Sequence, residues 1–131
     1  MTLRQLDLKD CQSLAKEFVR PYHQHYLAMY NSVLGGVVTH PFLMTVPVDD
    51  HMVHRGDGIF EAFKCVNGNI YNLEAHLKRL ERSARAVYLT LPATLEEIAK
   101  LVTGTIRIAG TRDCLIRLFA SRGPGGFTTN P

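Results

Sequence analysis

The spacing of apolar residues changes several times along this chain, and each change marks an element. Leu14, Phe18 and Val19 give an apolar face at helical spacing, behind an Asp7 or Asp10 able to cap the start. Pro21 lacks an amide donor and clashes with the preceding turn, so the segment is predicted as two short helices, about 8–20 and 21–31. Gly35-Gly36 interrupts next. Ser32–Val38 and Phe42–Val48 read as a hairpin or two short strands around a His40-Pro41 break, with Pro47 pushing the second towards a sheet edge. Asp49–Gly58 is polar and turn-rich. Alternation marks Ile59–Val66 as a strand, Asn67-Gly68 is a strong hairpin signal, and Asn69–Tyr71 is the return strand. Leu73, Leu77, Leu80, Ala84 and Val87 form one helical stripe, with Asn72 as the expected N-cap. Thr94-Leu95-Glu96-Glu97 is a capping box opening a helix to about Ala109, with Leu95, Ile98, Leu101, Val102 and Ile106 inward and Gly110 as the stop. Cys114–Ala120 is a buried-type strand carrying one charge, Arg117. Residues 1–31 are expected as a helical extension and 32–131 as a small α+β domain, an antiparallel sheet with helices packed on it.

Composition narrows the function classes. A chain of 131 residues, 46% hydrophobic and 21% charged, can bury the core of one soluble domain. A net charge of +3 suits anionic small molecules but is too diffuse for nucleic acid, and no apolar run is long enough to span a membrane. Cys11, Cys65 and Cys114 are odd in number and widely spaced. They fit a reducing compartment, with cytoplasm the default, and neither a disulfide framework nor a metal site. His23 and His25 do not share a helix face, so the Tyr22–Tyr30 aromatic cluster reads as solvated or interface side chains.

The candidate chemistry is anion binding. Arg79, Arg117 and Arg122, with Arg55, stand beside glycines or on apolar elements, and a guanidinium suits bidentate carboxylate and phosphate recognition. Lys78 and Arg82 read as solvent-facing, whereas Arg79 borders the apolar stripe. His51 and His54 are of a type able to do acid–base work, although histidines three apart in a polar loop are more often plain hydrogen-bonding groups. No nucleophile motif, P-loop or metal-ligand motif is present.

One ordered phrase is more specific. It runs His54-Arg55-Gly56-Asp57-Gly58-Ile59-Phe60-Glu61, then Asn67-Gly68, then Leu73-Glu74-Ala75-His76-Leu77-Lys78-Arg79-Leu80 and Ser83-Ala84. In order and spacing it resembles the pyridoxal-phosphate-dependent class IV (fold-type IV) aminotransferases. The resemblance extends to MYNSVLGGVV before it and to Ile116-Arg117-Leu118 and SRGPGG after it. Gly56-Asp57-Gly58 resembles the D-amino acid aminotransferase and aminodeoxychorismate lyase branches more than the branched-chain branch.

The resemblance implies the small N-terminal domain of the D-amino acid aminotransferase-like fold. Arg79 matches the arginine that holds the cofactor phosphate. Phe60 and Lys64 match pocket-lining strand positions. Arg117 matches an arginine of the branched-chain enzymes, and Arg122 matches one that receives the substrate carboxylate in bacterial D-amino acid enzymes. Arg55 departs from the family, standing where many relatives have a pocket aromatic. The family's Schiff-base lysine lies in a second domain, and none of Lys9, Lys16, Lys64, Lys78 and Lys100 has a matching context. The chain therefore reads as one domain of a longer homodimeric enzyme, in a truncated, cleaved or split form, acting on amino acids and 2-oxo acids. Aminodeoxychorismate lyase and a non-catalytic ligand-binding or interaction module are the alternatives.

Overall fold

The computed structural model describes residues 3–127. The chain divides into two compact units, Met1–Thr45 and Val46–Pro131. Residues 32–45 thus fall in the first compact unit. The observed hairpin pairs Met29–Asn31, expected as helix, with Gly36–Val38, and it belongs to the first unit. There Asn31 Nδ2 donates to the Thr45 carbonyl at 3.0 Å and ties the hairpin to the end of that unit.

In the first unit, helix α1 (Leu8–Glu17) starts at Asp7, whose side chain accepts from the Asp10 amide while Asp10 returns the bond. Beyond Pro21 there is only a 3₁₀ turn, Pro21–His25, and not the second helix expected to reach residue 31. Strands β1 (Met29–Asn31) and β2 (Gly36–Val38) pair antiparallel, and Asn31 Oδ1 accepts from the Val33 and Leu34 amides inside the connecting turn. Phe42–Val48, expected as a strand, is a short 3₁₀ turn at Pro41–Leu43 followed by irregular chain. Pro41 and Pro47 cannot donate to a ladder, and among the described residues no strand pairs with that segment. His23 is buried, with Phe18 stacked on it at 5.3 Å, while Tyr22 and Tyr26 are half or more exposed.

The second unit holds helix α2 (His51–Arg55), strands β3 (Gly58–Val66) and β4 (Asn69–Ile70), helices α3 (Leu73–Ala86) and α4 (Leu95–Ala109), and strand β5 (Cys114–Ser121). Asp50 caps α2 by accepting from the Met52 amide at 2.8 Å, which turns part of the expected polar loop into one helical turn. The sheet order is β4-β3-β5, all antiparallel, with β3 central. Asn67 and Gly68 both take positive φ (52° and 82°), the conformation that a two-residue hairpin demands. Asn72 precedes α3 as expected. It too is left-handed (φ 48°), and its side chain makes no capping bond, because the hairpin runs straight into the helix.

α3 and α4 pack together, and α3 lies along one face of β3. Leu77, Leu80 and Ile98 are buried at the centre, against Ile59 and Leu118 of the sheet. The capping box at Thr94 is present, and Gly110 ends α4 in a left-handed conformation. Two positions read as inward face solvent: Val87 is 41% and Leu101 37% exposed. Both lie beyond the strip that each helix lays on its neighbour. Among the described residues no helix is long and apolar enough to cross a membrane.

Candidate functional site

Alternation along β3 sends Ile59, Glu61, Phe63 and Cys65 to the helix side and Phe60, Ala62, Lys64 and Val66 to the other. Glu61 is therefore a carboxylate in an otherwise apolar row, and only 2% exposed. A charge so buried is costly unless paired and hydrogen-bonded. α3 supplies both partners. Arg79 donates through Nε to Oε1 at 2.7 Å and through Nη2 to Oε2 at 2.6 Å, a forked contact. His76, three residues earlier on the same helix face, has Nδ1 2.7 Å from Oε2. A carboxylate only accepts, so Nδ1 carries the proton and donates. Phe63 stacks on the His76 ring at 4.9 Å and completes the enclosure.

The Arg79 hydrogen bonds hold the Glu61 carboxyl below its ordinary value against the opposing push of burial, and His76 adds in the same direction. A depressed carboxyl stabilises the fold above its unfolded value, and that contribution is lost as pH falls through the folded value. Glu61→Gln is accordingly expected to cost roughly 1–3 kcal/mol at neutral pH. The difference from the parent should be full above pH 4.5 and shrink as pH falls below it. Urea midpoints across that range check this; a gap undiminished at the acid end would assign the effect to packing.

Glu61 occupies one edge of the Arg79 fork. Nη1 makes no hydrogen bond among the described residues, and the side chain is 56% exposed. A guanidinium locked along one edge by a buried carboxylate presents its remaining donors in a fixed direction, which suits a phosphate or carboxylate oxygen.

The opposite face of the sheet gathers three other candidates. Phe60 lies across from Phe119 with ring centroids 5.9 Å apart, Ala62 from Arg117, and Lys64 from Leu115. Phe60, Leu115 and Phe119 are each more than half exposed, so this face is an apolar wall with two cations set in it. The structure thus brings Phe60, Lys64 and Arg117 together, and holds Arg79 on the helix side.

Arg122 stands apart from both groups. It pairs with Asp57 through Nε, and it donates to the Tyr88 carbonyl at 2.9 Å and the Val87 carbonyl at 2.7 Å. These are the end of α3, so Arg122 closes that helix and braces Tyr88, a non-glycine residue at φ 53°. Arg55 is exposed in the last turn of α2. His51 and His54 pack their rings 5.1 Å apart beneath the glycine-rich loop. A Cβ on Gly125 would stand 2.7 Å from His51 Nε2, so only glycine allows that approach. Among the described residues no three His, Cys, Asp or Glu side chains form a metal-binding group.

Glu61 and His76 were missed as site residues, although both were in view in the sequence. An acidic residue on the inward register of an apolar strand needs a partner, and His76 and Arg79 at i and i+3 share one helix face.

Comparison with known proteins adds an independent line. The family model described as amino-transferase class IV matches residues 58–131. The D-amino-acid transaminase, chloroplastic, of Arabidopsis thaliana is 44% identical over 108 residues, covering 82% of this chain and 29% of that protein. The crystal structure of a branched-chain aminotransferase from Thermoproteus uzoniensis with norvaline superposes with a TM-score of 0.64 at 31% identity, covering 73% of this chain and 34% of that one. The PLP-bound form of a hypothetical aminotransferase from Mycobacterium tuberculosis gives a TM-score of 0.61 at 32% identity, covering 72% and 34%. The chain spans about a third of the length of these relatives.

Proposed function

The chain belongs to the amino-transferase class IV family, and from that premise we propose that it forms the phosphate-gripping, pocket-shaping part of a pyridoxal-phosphate-dependent transaminase. The amino group would pass between an amino acid, of D- or branched-chain type, and a 2-oxo acid. The observation that carries this reading is the Arg79 fork, fixed on one edge by buried Glu61, with Nη1 making no hydrogen bond among the described residues.

When bound, pyridoxal phosphate supplies the electron sink that makes the substrate carbon acidic. The residues of this chain do the rest of what is assigned to it. Arg79 holds the phosphate, with Glu61 and His76 keeping its guanidinium in place. Phe60, Leu115 and Phe119 form the apolar wall that excludes water. Arg117 and Lys64 offer positive charge to a substrate carboxylate. Arg122 has its donors engaged by Asp57 and the end of α3, which favours Arg117 over it for that task. Arg55 is assigned to the rim. Lys78 and Lys100 pair with Glu74 and Glu96 on helix surfaces. None of the five lysines has the context that the resemblance requires, and the lysine that binds the cofactor covalently is assigned to the length of the relatives that this chain does not span. The three free cysteines fit a reducing, cytoplasmic compartment, and a homodimer completes the proposal.

The test is amino transfer by the complete, cofactor-loaded protein from D- and branched-chain amino acids to a 2-oxo acid. Arg117→Ala is expected to raise KM for the amino acid roughly 10- to 100-fold with cofactor retention unchanged. Arg122→Ala is expected to lower Tm, with a smaller effect on KM. The reverse pattern would return the carboxylate to Arg122. Cleavage of aminodeoxychorismate without amino transfer would make the protein a lyase of the same family. Absence of both activities and of cofactor absorbance would leave a ligand-binding module.

A further inference from the structure

Two of the three cysteines face one another across the sheet. Cys65 of β3 and Cys114 of β5 are register partners. Directly opposed residues of an antiparallel pair lie about 4.5–5.5 Å apart at Cα and project to the same face, inside the roughly 4.4–6.8 Å window that a disulfide accepts. Cys65 is 2% exposed, and Cys114 is only partly buried. The remaining thiol, Cys11, is in α1 of the other unit. No role proposed above uses either sheet thiol.

We propose that Cys65 and Cys114 are a reversible oxidation site, closing to an intramolecular disulfide when the protein meets a hydroperoxide. The accessible member reacts first. The Cys114 thiolate attacks one peroxide oxygen, the O–O bond breaks, and hydroxide leaves with the thiol proton as water, giving a sulfenic acid. The Cys65 thiolate then attacks that sulfur, the S–O bond breaks, and a second water leaves with the Cys65 proton. In balance, two thiols are oxidised by two electrons and one hydrogen peroxide is reduced to two waters. A small thiol reductant reverses the step. Burial, and after it the neighbouring Cys65 and Asp113, pushes the Cys114 thiol above its ordinary value. Little of it is thiolate at neutral pH, so the pair stays reduced until peroxide is sustained. The bond would staple β3 to β5 beside the Asn67-Gly68 turn, at the far end of β3 from Gly58. It would lock the strand pair that carries Phe60, Lys64 and Arg117 without touching any of them.

The experiment uses the full chain treated with hydrogen peroxide, alkylated, and read by intact mass and peptide mapping. The expected result is loss of two hydrogens, a single alkylated thiol at Cys11, a crosslinked Cys65–Cys114 peptide, and full reversal by dithiothreitol. Tm should rise by roughly 5–10 °C on oxidation. Cys114→Ser is expected to abolish the hydrogen loss, and Cys11→Ser to leave it intact. Added oxygens without hydrogen loss, a bridge using Cys11, a bridge between two chains, or two alkylatable sheet thiols after treatment would each overturn the proposal. So would equal yield of the Cys65–Cys114 bridge in guanidinium, because the fold would then not be presenting the pair.

Discussion

Replacing Arg79 with alanine in the complete protein is expected to weaken retention of pyridoxal phosphate roughly 10- to 100-fold, the loss typical of removing a charge-assisted contact. Binding of pyridoxal, which lacks the phosphate, should change little. The contrast matters because the substitution does two things at once. It removes the proposed phosphate donor, and it strips buried Glu61 of the fork that holds it. Destabilisation alone would weaken both ligands alike. Absorbance titrations with the two aldehydes separate the effects, and equal losses for both would sink the phosphate assignment. Arg79→Lys sharpens the test: it keeps the charge but cannot span both Glu61 oxygens while offering a further donor, so it is expected to fall between the parent and Arg79→Ala.

Leu80→Ala is expected to destabilise the second unit by roughly 2–5 kcal/mol, through lost burial plus the cavity left behind. Leu80 is 1% exposed, and with Leu77 and Ile98 it forms the centre of the core. The loss is a large share of the roughly 5–15 kcal/mol that stabilises an ordinary domain. It also reaches the site, because Leu80 anchors the turn of α3 that carries its neighbour Arg79. Leu101→Ala is the internal control. Leucine stripes on α3 and α4 look alike in sequence, but Leu101 is 37% exposed and should cost well under half as much. Urea unfolding resolves the two through the midpoint at constant slope. Equal losses would mean that α4 packs more deeply than described.

Much of the second unit was legible because its signals are local. The Asn67-Gly68 turn, the Thr94–Glu97 capping box, the Gly110 stop and the alternation of β3 each depend on residues within a few positions of one another. The first unit was less legible for the same reason in reverse. Met29–Asn31 is a strand only because Gly36–Val38 pairs with it, and Phe42–Val48 has no partner strand among the described residues. β-structure is decided by partners, and a three-residue strand carries too few residues to show a period. At the candidate site, the expectation for Arg79 came from its motif, and those for Phe60 and Lys64 from theirs. The roles of Glu61 and His76 were not found. A buried carboxylate is recognised as such only when the strand register and the helix laid against it are both known.

The sequence by itself determined the family and, apart from the short helix α2, the order of elements in the second unit. These rest on short-range chemistry and on a motif whose spacing survives in a linear string. Tertiary structure alone decided which charges are free to act. On paper, Arg79, Arg117 and Arg122 were told apart only by the family positions they resemble. In the fold, one is locked by a buried carboxylate with a nitrogen unpaired among the described residues, one stands on an open apolar face, and one closes the end of α3. The physical reason is that a guanidinium's role depends on what its five donors meet, and those partners come from residues 18, 34, 35 and 65 positions away.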